Sequence, residues 1–199
     1  SGLHDPDMAS KVAEYDGSMI IMASDQRPGD LPLLNQIIPL LGDKVRQAAG
    51  AGVALNKISI DPGIGKWVPE RTAAHDLAIL DGFDRLRILQ RPVMAALSRK
   101  TFIGESLKIP DPGLRLAGSL AATAVAVYLG AHIVRTHDIS ASLDAIAMAG
   151  AIRGRPIVTG DCNMNCNVDG HKDSDLQVEV MSYLGQGMDL AEHLKRIQV

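Results

Sequence analysis

Pro92-Val93-Met94-Ala95-Ala96-Leu97-Ser98-Arg99-Lys100 is the stretch on which the fold turns. An uninterrupted run without charges gives way at once to a hydroxyl and two cations. Such a run, apolar on both sides of its pleat, is the pattern of a strand buried on both faces of a parallel sheet. Three further runs share it: Ser18 to Ala23, Lys57 to Ile60 and His132 to Thr136. From Ala23 to Asp61, to Ser98, to Arg135, one strand end follows the previous one after about 37 residues, so a single unit is being repeated. The intervening stretches have helical spacing: Leu31 to Gly50, with an interruption expected around Pro39 and Gly42, Arg71 to Gln90, Arg115 to Leu129, and Ser140 to Gly150. The order is βαβαβαβα, which calls for right-handed crossovers onto a parallel sheet.

Equal spacing without a GxGxxG or GxxxxGK[ST] turn favours a TIM-type (β/α)8 barrel over a doubly wound sheet. Eight such units need close to 300 residues, on the order of 37 each, whereas four are visible here. The expectation is therefore about four β/α units, the C-terminal half of a barrel, over residues 1–154, followed by an extension over 155–199 that begins as a loop and continues as helix. The opening Ser1-Gly2-Leu3-His4-Asp5-Pro6 reads as a loop and short helix entering the first strand. Four strands leave two sheet edges open, so a homodimer or association with the complementary half-barrel is expected.

Twenty basic and 23 acidic side chains give a net charge of −3, which supplies no global field for nucleic acid or an anionic membrane. Any anion site must be local. With no basic leader entering an apolar stretch and no run of bilayer-spanning length, a cytoplasmic protein is expected. Cys162 and Cys166 share one short polar stretch and form no disulfide framework. Together with His171 they fall short of a metal site, and reduced thiols in a loop are the simpler reading. Asp175 to Ile197 has helical spacing broken by Gly185 and Gly187, the pattern of a helix-turn-helix appendage.

In a barrel the loops at the strand C-termini form the active face, which gives weight to the polar residues there. Asp61 closes the second strand and opens Asp61-Pro62-Gly63-Ile64-Gly65-Lys66, where the glycines allow close backbone approach to a ligand. A carboxylate there can accept two hydrogen bonds from an amidine-like ring edge, or it can cap its own turn. On an extended segment Ser98 and Lys100 share a face while Arg99 looks away. The same alternation pairs Arg135 with His137. A guanidinium beside an imidazole makes a phosphate clamp, and the competing reading is an internal ion pair with Asp138 or a neighbouring acid. Trp67 beside this loop serves as a lid over a ring ligand or as ordinary packing.

SGLHDPDMASKVAEY, SIDPGIGKW, ALSRKTFIG and RLAGSLAATAVAVYLGAHIVRTHDI together resemble the second half of dihydropteroate synthase and its pterin-binding relatives, over roughly Ser1 to Gly154. The resemblance implies that Asp61 holds the pterin's aminopyrimidinone edge, that Lys100 contacts the ring carbonyl and the arylamine pocket, and that Ser98 lies near the second substrate. It implies further that Arg135 and His137 bind phosphate or pyrophosphate, with Lys100, Arg135 and His137 as the catalytic set and Gly65 and Lys66 also contacting substrate. DPGIGKW is shorter than the usual Gly-Phe-Gly-Lys loop, and Met22-Ala23-Ser24 stands where Met-His-Met is usual. The implied reaction joins a hydroxymethyl-dihydropterin diphosphate to p-aminobenzoate or a related arylamine with release of pyrophosphate. The implied cofactor is Mg2+, with ligands in family segments upstream of those present and no metal ligand among these residues. Two other readings are a corrinoid-linked methyl-pterin methyltransferase and a non-catalytic pterin-binding fragment.

Overall fold

The computed structural model describes residues 3–27, 30–31 and 33–154, together with the backbone of short strands at Ile157–Val158, Leu176–Gln177 and Glu179–Ser182. Four strands and their helices alternate in the expected order. β1 (Met19–Met22), β2 (Ile58–Asp61), β3 (Met94–Ala95) and β4 (Ile133–Thr136) follow α1 (Met8–Glu14) and are separated by α2 (Leu34–Gly50), α3 (Ala73–Asp81), α4 (Thr101–Leu107) and α5 (Leu116–Tyr128), with α6 (Ile139–Ile152) after the last. All their pairings are parallel: Met19 sits beside Ile58 and Met22 beside Asp61, a bridge joins Ile60 to Val93, and Met94 lies beside Ile133. The register carries the strands into neighbouring positions in chain order and brings their C-terminal ends to one rim.

Burial explains why these runs are strands. Ile21, Ile58, Ile60, Val93, Leu97 and Val134 are each at most 3% exposed, and they meet Ile37 and Leu41 of α2, Ile79 of α3, Ala126 and Val127 of α5 and Ile146 of α6. Sealing aliphatic side chains of this size contributes roughly 1.5–3 kcal/mol each. No helix among the described residues is long and apolar enough to cross a membrane.

Three expectations need correction. α2 runs through Pro39 unbroken, because Ile37, Leu41, Lys44 and Ala48 keep one face buried across it; the proline removes one backbone donor without displacing that face. The stretch from Arg71 to Gln90 is not one helix. α3 ends at Asp81, just before Gly82, and a 3-10 segment, Phe83–Leu89, follows; a Cβ at Gly82 would stand 2.5 Å from Leu34 Cδ1, so close packing of α2 fixes the break. Within the tail expected to be helical, Leu176–Gln177 and Glu179–Ser182 are strands β6 and β7. β6 pairs in parallel with β5 (Ile157–Val158), and β7 adds in parallel to β4, with Ile133 beside Glu179 and Thr136 beside Ser182. The rest of that tail, with Cys162, Cys166 and His171, lies outside the described residues.

At the opposite end of β4 from the rim, the Nδ1 atom of His132 accepts a hydrogen bond from the Val93 backbone N–H at 3.3 Å. Burial, reinforced by the charges of Arg87 and Arg153, lowers the His132 pKa to about 4 from the ordinary 6.5. The unfolded chain therefore takes up a proton at a higher pH than the folded one. The contribution of the neutral ring is complete above about pH 6.5 and declines as pH falls toward 4. Urea denaturation at pH 7.5 and pH 5 is expected to differ by about 2 kcal/mol from this group, at about 1.36 kcal/mol per unit. His132→Gln should remove that part of the pH dependence, and an unchanged dependence would refute the assignment.

Candidate active site

The loop after β2 is built around its carboxylate. Asp61 Oδ1 accepts the Gly63 N–H at 2.7 Å, and the Asp61 carbonyl accepts the Ala23 N–H at 2.8 Å, which ties the β1 and β2 ends together. Gly63 adopts φ +73°, and a Cβ there would stand 2.9 Å from the Ala23 carbonyl oxygen, so glycine alone fits without displacing backbone. The turn-capping role weighed for Asp61 is thus real, and it engages Oδ1. Burial raises the Asp61 pKa, opposed by the positive charge of Lys100, the Gly63 N–H and the charge of Arg135. Hydrogen-bond donors on an incoming ligand act in the same direction as those opposing charges and favour the carboxylate.

Lys100 stands just before α4 in extended conformation. Its ammonium donates to the Ile64 carbonyl and lies 5.5 Å from the centroid of the Trp67 ring. Burial lowers its pKa, the Asp61 carboxylate raises it and Arg135 lowers it further. Gly65 makes this contact possible: at φ +135°, a Cβ would meet Lys100 Nζ at 3.0 Å and Trp67 Nε1 at 3.1 Å. Trp67 is 55% exposed, and what it covers is the lysine head. The Lys66 ammonium turns to Glu105 of α4 at 3.2 Å rather than towards Lys100.

Beside this loop a cavity of about 370 Å³ opens between the ends of β3 and β4. Ser98, Lys100, Arg135 and His137 line it together with Ala96, Arg99, Pro112 and Thr136, so the four expected residues share one space, but Arg99 and Thr136, of the opposite phase, line it too. Asp61 and Gly65 flank it through Lys100. The Ser98 hydroxyl is 3.0 Å from His137 Nδ1 and accepts the His137 backbone N–H at 3.4 Å. The hydroxyl thus ties both the backbone and the ring of His137 to the end of β3.

Arg99 departs from the expected alternation. Its φ is +60°, which ends the extended geometry, and its guanidinium reaches along the rim to Asp138, with Nη2 at 2.6 Å and Nε at 3.1 Å. The aspartate considered as a partner for Arg135 therefore pairs with Arg99. The left-handed turn is held from both sides: the Arg99 N–H donates to Ser119 Oγ at 2.8 Å, and its carbonyl accepts from Arg115 Nη1 at 2.9 Å. Two further groups went unread in the sequence, the buried Arg115 and the buried pair Arg71 and Asp76. Their partners are backbone atoms of loops, which leave no trace in residue spacing.

Fold and site together define an α/β protein whose parallel strands deliver one carboxylate and several cations to a shared mouth. The family model described as pterin binding enzyme matches residues 1–137. The chain belongs to the pterin binding enzyme family. The dihydropteroate synthase of Streptococcus pyogenes serotype M6 is 32% identical over 149 residues, which cover 74% of this chain and 55% of that protein. A solved dihydropteroate synthase from Coxiella burnetii in complex with pteroic acid superposes with a TM-score of 0.70 at 30% identity, over 76% of this chain and 58% of that one. The Xanthomonas albilineans dihydropteroate synthase with 4-aminobenzoic acid gives a TM-score of 0.68 at 32% identity, over 77% and 56%. The chain thus spans a little over half the length of these relatives.

Proposed function

We propose that this chain supplies the C-terminal half of a dihydropteroate synthase-type (β/α)8 barrel, residues 1–154, and that its rim binds a pterin diphosphate for transfer to an arylamine. The observation that carries the reading is the convergence of Ser98, Lys100, Arg135 and His137 on one cavity beside the Asp61 carboxylate. Likeness to proteins solved with pteroic acid and with 4-aminobenzoic acid supports the ligand classes. Asp61 takes the aminopyrimidinone edge through its carboxylate, and Lys100 lies between ring and cavity. Arg135 and the His137 ring receive the diphosphate. In the reaction the arylamine nitrogen bonds to the exocyclic methylene, the carbon–oxygen bond to the diphosphate breaks, pyrophosphate leaves with the electron pair, and the amine gives up a proton. The cationic groups are placed where negative charge accumulates, the arrangement that lowers such a barrier most. Methyl transfer from a reduced pterin has no use for that clamp and is the weaker reading.

Magnesium does not fit the residues described. They contain no group of three or more His, Cys, Asp or Glu side chains that could hold a metal ion, and the cavity wall is cationic. A complete metal site would draw on the complementary half of the barrel, in the same polypeptide or an associated chain.

Calorimetry on the full chain tests the proposal. Pyrophosphate binding is expected to weaken about 10- to 100-fold in Arg135→Ala, the loss of about 1.5–3 kcal/mol typical of a charge-assisted hydrogen bond. Undiminished binding in Arg135→Ala, or no binding of pyrophosphate or pterin diphosphate by the wild type, would overturn it.

A further inference from the structure

Arg71 and Asp76 are each 1% exposed, and between them they hold the backbones of two rim loops. Asp76, in the first turn of α3, accepts two hydrogen bonds on Oδ1, from Arg71 Nε at 2.8 Å and from the Gly65 backbone N–H at 3.0 Å. Arg71 Nη1 donates to the Leu31 carbonyl in the β1–α2 connection at 2.7 Å. Gly65 is bonded in sequence to Ile64, whose carbonyl receives the Lys100 ammonium. A continuous path thus runs from the β1 loop through Arg71, Asp76 and Gly65 to Lys100.

We propose that Arg71 and Asp76 are positioning residues, which set the Gly63–Trp67 loop at the height where the Ile64 carbonyl seats Lys100 against the cavity. A pair placed there only for stability would be a poor choice. Desolvating two charges offsets most of their attraction, and apolar replacements of similar volume are commonly neutral or better. What an apolar pair cannot do is accept from Gly65 and donate to Leu31 at once. The charges of Asp76 and Arg71 also both reach the Lys100 ammonium. For its ligand this inference rests on the pterin reading, but its geometry does not.

Trp67, the sole tryptophan, reports on the loop directly, since its backbone N–H donates to the Gly65 carbonyl at 3.1 Å and its ring lies over Lys100. In the full chain, Asp76→Ala is expected to red-shift Trp67 emission and raise its acrylamide quenching at least about twofold, with far-ultraviolet circular dichroism unchanged. Asp76→Asn keeps an acceptor for Gly65 and should restore most of the wild-type signal. Pterin affinity should fall about tenfold or more in Asp76→Ala while pyrophosphate affinity stays within about threefold, because Arg135 and His137 lie on the other strand end. Should Asp76→Ala not fold, the double variant Arg71→Met with Asp76→Leu removes both charges together and is read in the same way. Wild-type emission and quenching in a folded variant lacking the pair would overturn the inference. If the loop signal moves as described while the wild type binds no pterin, the positioning role stands and the pterin reading falls.

Discussion

Asp61→Asn is expected to weaken binding of a pterin ring by about 100-fold or more, measured by calorimetry on the full chain, while pyrophosphate affinity changes by no more than about threefold. The turn dictates the size of the effect. Oδ1 is held by the Gly63 N–H at 2.7 Å, so an asparagine must keep its oxygen there to preserve the turn. Its amide NH2 then faces the site, where ring donors arrive. Two charge-assisted hydrogen bonds are replaced by a donor meeting donors, and losses of about 1.5–3 kcal/mol attach to each such bond. Asp61→Glu retains charge but displaces it by a methylene and should recover little. An equal loss for ring and pyrophosphate would show that Asp61 acts on the whole rim through its charge, and would sink the assignment of a ring-reading carboxylate.

Arg115→Met should destabilise the fold by about 3–5 kcal/mol in urea denaturation. Arg115 is 7% exposed and donates to three carbonyls: Nε to Ile109 at 2.9 Å, Nη1 to Arg99 at 2.9 Å and Nη2 to Pro110 at 2.5 Å. Methionine fills much of the volume but leaves those carbonyls without their donor. Gly104 belongs to the same device, because a Cβ there would sit 2.5 Å from the guanidinium. Gly104→Ala should therefore be destabilising even though alanine favours helix. The Arg99 carbonyl being one of the three, loss of Arg115 also frees the segment that presents Ser98 and Lys100. A change below about 1 kcal/mol would mean that water replaces the donor at little cost.

What could be read from the sequence follows from range. Continuous apolar runs report local burial, so Ile58 to Asp61 and Ile133 to Thr136 emerged with their mouths correctly placed. Arg135 and His137 do line one cavity, but so does Thr136 between them, so side-chain alternation alone does not select the lining. Alternation failed at Arg99, where the backbone N–H donates to Ser119 Oγ and the carbonyl accepts from Arg115, holding φ positive in a residue that carries no local signal for it. The break at Gly82 was hidden because apolar spacing continues across it, and the cause is a leucine on another helix. Arg71 and Asp76 were missed because their partners, Leu31 and Gly65, are backbone atoms brought near only by the fold. Pairwise spacing cannot show such contacts.

The Ser98 hydroxyl meets both the backbone N–H and the ring Nδ1 of His137, a residue 39 positions away in sequence. The ends of β3 and β4 are thereby clasped by a side chain beyond their last backbone pairing. Whatever engages the imidazole also pulls on the serine, so occupancy at one strand end should be felt at its neighbour.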